Sequence, residues 1–152
     1  MPENNKYPLE PLIKARQAEQ DALRSQVSAL RDTVSAIENV VRGLKAEIDD
    51  AQARLKYEAS DGVAMLVDRR RLLALYVKDR GIQLAEQHKR LAQEREQLAE
   101  AMGALTEVRR ALRALERHKE RFQLELNLRV AKSLEKTLDE MWLNRRGVLS
   151  YE

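Results

Sequence analysis

The chain has 152 residues, and Ala, Glu, Lys, Leu and Arg supply 87 of them, a composition of long helices rather than of a compact globule. One Trp, four Tyr and one Phe are too few to fill an ordinary core of this length, and the absence of cysteine excludes both a disulfide framework and a thiolate metal site. The net charge of +3 is unevenly spread: residues 1–61 carry nine basic and eleven acidic groups, residues 62–152 nineteen and fourteen.

The opening MPENNKYPLEP has neither the basic nor the apolar region of a signal peptide, and no stretch approaches the ~18 apolar residues of a membrane span, so a soluble cytoplasmic chain without membrane insertion is expected. All three prolines, Pro2, Pro8 and Pro11, lie at this end, and Pro11 suits a first helical turn. From Leu23 the apolar positions then follow a 3,4 spacing: Leu23, Val27, Leu30, Val34, Ile37, Val41, Leu44, Ile48, Ala51 and Leu55. Ten such positions in succession predict a coiled-coil helix over about 9–58. Extended backwards, the same frame meets Gln20, Arg16, Ile13 and Leu9, so the seam weakens toward the N-terminus.

Ser60-Asp61-Gly62 carries the chemistry of a turn, placed at 59–62, because Gly permits positive φ and Ser or Asp can cap the next helix. A second helix follows over about 63–145, with Val77, Leu84, Leu91, Leu98, Leu105 and Leu112 at every seventh residue. Its alternate seam positions are read as Gly81, His88, Arg95, Met102 and Arg109, a poor set. The end is signalled by Asn144-Arg145-Arg146-Gly147, with cations in the last turn and a Gly cap. The expected fold is all-α: a single antiparallel two-helix coiled-coil hairpin over 1–152, its helices about 75 Å and 120 Å long at ~1.5 Å per residue. Folding at Gly62 sets Leu9 opposite 110–115 and leaves the last ~30 residues of the longer helix without a mate.

That overhang contains FQLELNLRV, residues 122–130, whose strict alternation of apolar and polar residues also fits a strand. The flanks ALRALERHKER and AKSLEKTLDEM are strong helix formers, and an isolated strand would leave two unpaired edges, so helix is favoured. As helix, Phe122, Leu126 and Val130 share one face while Leu124 and Leu128 lie about 200° away. This two-faced segment is read as a partner-binding surface, Phe122, Leu124, Leu126, Leu128 and Val130; the plainer reading is a helix end that folds back or dimerises. A second patch, Leu72, Leu73, Tyr76 and Val77, lies in an apolar run near the turn too wide for one seam and is read as a second partner-binding surface. Gly81 just beyond it could divide the helix, though a continuous helix is favoured.

No catalytic, cofactor or metal residues stand out. His88 and His118 have no second ligand at metal-site spacing, and there is no phosphate loop or acid pair, so neither catalysis nor a cofactor is expected. Arg69-Arg70-Arg71 and the group Arg109, Arg110, Arg113, Arg117, Lys119 and Arg121 are interleaved with acids and short of aromatics; a solvated face fits them better than nucleic-acid binding, and an acidic protein surface fits equally.

Three stretches, YPLEPLIKARQAEQDALRSQV, RRRLLALYVKDRGIQLAEQHKRLAQERE and LERHKERFQLELNLRVAKSLEKTLDEMW, together resemble the stalk proteins of type III secretion, the FliJ family of flagella and the YscO or SctO family of injectisomes. The resemblance spans most of 6–146. It implies a non-enzymatic coupling element, peripheral to the inner-membrane secretion machinery, that links a hexameric secretion ATPase at the terminal end to an export gate protein at the other, with secretion chaperones as further partners. The rival reading of the residues is a self-associating structural coiled-coil scaffold.

Overall fold

The computed structural model describes residues 6–60 and 67–149. The protein is an all-α helical hairpin: α1 runs Glu10–Ser60 and α2 runs Val67–Leu149, and no strand occurs among the described residues. FQLELNLRV is therefore helix. α2 is unbroken through Gly81, and it passes through Asn144-Arg145-Arg146-Gly147 to Leu149, beyond the stop at about 145 that those residues suggested. A Gly in an exposed helix costs about 1 kcal/mol and so does not by itself end one. Of the turn expected at 59–62, Ala59 and Ser60 instead end α1, and Asp61-Gly62 lies outside the described residues.

The chain divides into two compact units, Met1–Asp21 with Thr106–Glu152 and Ala22–Leu105. In the second unit α1 behaves as its spacing predicts. Val27, Val34, Ile37, Val41, Leu44 and Ala51 are buried, while Leu23, Leu30, Ile48 and Leu55 are half-buried. Val34, Ile37 and Val41 pack with Leu91, flanked by Leu84 and Leu98; Val27 packs with Ala101 and Leu105, flanked by Leu23, Leu30 and Leu98. Burying one such side chain contributes about 1.5–3 kcal/mol, so this interlocked row supplies the cohesion of the unit. Ion pairs fix its antiparallel register from the margins: Arg95 to Glu38 at 2.7 Å, Arg80 to Glu47 at 3.1 Å and Arg69 to Glu58 at 3.3 Å.

On α2 the seven-residue row from Val77 to Leu112 faces the seam, but its alternate set is not the expected one. His88, Arg95 and Arg109 are exposed and Met102 is 42% exposed, whereas Gly81 is half-buried. The inward positions lie one residue earlier: Arg80, Gln87 and Glu94 are half-buried, and Ala101, Val108, Leu115 and Phe122 continue the row. The row three residues beyond each member of the sevenfold series, rather than four, is therefore the one covered by α1. In the 80–94 stretch that position is polar, which disguised it.

In the first unit Ile13 is buried on α1 and Val108 and Leu112 on α2. Leu9, expected in the seam, is 36% exposed, and Tyr7 is buried in its stead. A turn closed by the Glu10 amide donating to the Tyr7 carbonyl at 3.2 Å turns the chain inward just before Pro11. Lys119 then meets Glu10 at 2.7 Å, so the chain pairs about five residues further along α2 than a fold at Gly62 would give. This corrects the expected overhang. On one face of its first part Phe122 packs on Tyr7 and Leu126 is half-buried, and only 127–148 are exposed throughout.

Candidate partner-binding surfaces

In the unit Ala22–Leu105, the apolar run that opens α2 winds around the helix and so cannot all face one neighbour. Leu73 and Val77 turn to the seam and are half-buried, while Leu72 is 67% and Leu75 62% exposed. Tyr76 sits between these two conditions. Its hydroxyl donates to Glu47 Oε2 at 3.2 Å, and the Arg80 guanidinium lies 5.0 Å from its ring centroid. The hydrogen bond with Tyr76, and then the charge of Glu47, raise the Arg80 pKa above its ordinary value, so Arg80 is a fixed cation here. Of the four residues expected at this surface, Leu72 is fully available, Tyr76 is tethered by its polar end, and Leu73 and Val77 belong largely to the helix pairing. Leu75 joins the exposed patch; its place in the same apolar run was the available signal.

In the other unit the five residues of the terminal surface also separate by face. Phe122 and Leu126 are half-buried, continuing the seam, whereas Leu124 (63%), Leu128 (61%) and Val130 (48%) are exposed. Phe122 meets the Tyr7 ring edge-on with centroids 5.5 Å apart, and the Tyr7 hydroxyl is hydrogen-bonded to His118 Nδ1 at 2.7 Å. This three-residue clasp escaped sequence reasoning, which weighed His118 only as a metal ligand. Tyr7 and His118 are 111 residues apart in sequence, and only the tyrosine in YPLEP hinted at the contact.

Leu124 lies on the opposite face of α2, in an open hollow of about 590 Å³ with Glu116, Lys119, Glu120, Gln123 and Asn127. Beyond it Leu134, Leu138, Met141, Trp142, Leu143 and Val148 are each 59–72% exposed. A monomeric protein rarely leaves so long an apolar tract uncovered. The Arg146 guanidinium lies 4.9 Å from the Trp142 ring centroid, so the far end of this tract mixes aromatic surface with charge.

Among the described residues no cluster of three or more His, Asp or Glu could hold a metal ion, and no helix is long and apolar enough to cross a membrane. Both surfaces present leucines, aromatic rings and charged side chains on a helical framework.

No family model matches the chain, and no curated protein is similar to it at a significant level. Among solved structures it matches CT670 of Chlamydia trachomatis, a protein proposed as a homolog of YscO, with a TM-score of 0.62 and 22% identity over 97% of this chain and 98% of that one. The chain shares the fold of that protein across nearly its whole length.

Proposed function

We propose that this chain is a stalk protein of a type III secretion apparatus, a non-enzymatic element that couples the hexameric secretion ATPase to the export gate. The observation that carries the reading is the agreement in fold with a protein proposed as a YscO homolog, over 97% of the chain, reached independently of the three sequence stretches that resemble the same family. The exposed surfaces support it. The first unit leaves an apolar helical tract from Leu124 to Val148, and the second leaves Leu72 and Leu75, so each unit offers a face to another protein.

In this reading Leu124, Leu128 and Val130 meet the ATPase ring, and Phe122 acts from behind by holding Tyr7 of the N-terminal segment against α2. Arg117, Lys119, Arg121 and Arg129 border that face and suit acidic loops of a ring, so added salt weakens the contact. Leu72, Leu75 and Tyr76 form the face toward the gate, and secretion chaperones are further clients of the exposed surface. The protein works in the cytoplasm, at the inner-membrane machinery.

Replacing Leu124 and Leu128 together with Glu tests the assignment in a pull-down with the cognate secretion ATPase. Both side chains point to solvent, so helicity stays at the wild-type value while binding and ATPase stimulation are lost. Full binding by that variant, with helicity intact, would contradict the assignment of this face.

A further inference from the structure

The tract from Leu124 to Val148 carries a charge pattern with a consequence of its own. Glu125, Lys132, Asp139 and Arg146 recur every seventh residue, all exposed, along one flank of the apolar stripe, and their signs alternate. On the other flank Asn127, Leu134, Met141 and Val148 also recur every seventh residue, and none of them is charged. Leu124, Leu128, Ala131, Leu138 and Trp142 lie between the two flanks. This is the layout of a coiled-coil pairing surface: an apolar stripe with a column of residues on either side.

The columns select both the partner and its direction. A parallel second copy would set the charged flank against the uncharged one and leave four charges without opposites. An antiparallel second copy sets like flank against like flank. Because the signs alternate at a spacing of seven, Lys132 then meets Asp139 of the second copy and Glu125 meets Arg146 of the second copy, each contact occurring twice by symmetry. The uncharged flank meets itself as Leu134 against Met141 of the second copy, and Trp142 is set beside Ala131 of the second copy, a large ring against a small residue. We infer that residues 124–148 form an antiparallel homodimer with a second copy of this chain.

The surface is large enough. Leu124, Leu128, Leu134, Leu138, Met141, Trp142 and Val148, the seven large apolar residues of the stripe and its uncharged flank, are each at least 59% exposed, together on the order of 800 Å², which matches the ~800 Å² per partner of a standard interface. Glu135 and Arg145 interrupt the stripe, so the pairing is weaker than the intramolecular seam and reverses on dilution. The inference stands on the flanking charges and does not rest on the secretion reading. Where both hold, the dimer covers Leu124 and Leu128 and must dissociate before the ATPase is engaged.

Sedimentation equilibrium of the full chain, with circular dichroism as the control for folding, tests it. The wild type forms a concentration-dependent dimer. Lys132→Glu alone and Asp139→Lys alone each turn two attractions into repulsions and weaken the dimer by about tenfold or more, at unchanged helicity. An equimolar mixture of the two variants restores association, because opposite signs then meet at both contacts, and the double variant restores it within one chain. A wild type that stays monomeric at the highest soluble concentration would overturn the inference. So would a dimer indifferent to either single reversal, or single variants that weaken association without recovery on mixing.

Discussion

The stretch of α1 from Val27 to Ala51 and the stretch of α2 from Leu124 to Val148 are built from the same kinds of residue, yet they meet opposite fates. In the first, Val27, Val34, Ile37, Val41, Leu44 and Ala51 are 4–8% exposed; in the second, nine large apolar residues are 48–72% exposed. Helix formation does not separate them, since both are helical throughout. What differs is the presence of a second helix. The first stretch spends its apolar surface on folding, whereas the second keeps it for association.

The sharpest way to break this comparison is to put one charge into each stretch. Ile37→Asp buries a carboxylate between Val34, Val41 and Leu91 and should cost about 3–5 kcal/mol, lowering the urea midpoint steeply. Leu134→Asp, at a position 59% exposed, should change stability by less than about 0.5 kcal/mol in the dilute chain. Comparable losses at the two sites would mean that the tract is core after all.

A smaller effect is expected where the covered and uncovered parts of α2 meet. Tyr7→Ala removes the ring packed on Phe122 and the hydroxyl bonded to His118, at a cost of about 2–4 kcal/mol, and amide exchange should quicken over 6–20. Tyr7→Phe keeps the ring and loses the hydrogen bond, about 1 kcal/mol. If both changes leave exchange in that segment unaltered, the clasp does not hold it. The smallest effect belongs to the margins. Breaking Lys119–Glu10 by Lys119→Met should shift stability by no more than about 1 kcal/mol, since both side chains are about two-fifths exposed, and chemical denaturation would read it.

The fold was legible in the sequence wherever burial follows local spacing. The 3,4 row of α1 names its own inward face, and the sevenfold leucines of α2 do the same for one half of theirs. The other half was misread because Arg80, Gln87 and Glu94 occupy inward positions with polar groups whose stems can cover apolar surface while their ends reach water. Ala101, Val108, Leu115 and Phe122 carried the correct frame and lay in plain sight. The Tyr7 clasp was not legible, because it depends on a turn before α1 and on contacts across 111 residues. At the candidate surfaces, spacing alone separated Leu124 and Leu128 from Phe122 and Leu126. The expected overhang began about ten residues too early, because neither the length of the connection nor the inward turn at Tyr7 is written in the periodicity.

Hydrogen–deuterium exchange, residue by residue, on the chain diluted below self-association and then with the secretion ATPase added, tests the central claim most directly. Slow exchange is expected at 34–41 and 91–105, where two helices cover one another. Exchange many times faster is expected at 130–148, where α2 is exposed throughout, with selective slowing of that tract when the ATPase is added. Slow exchange over 130–148 in the dilute chain, or no change there on adding the ATPase, would contradict the claim.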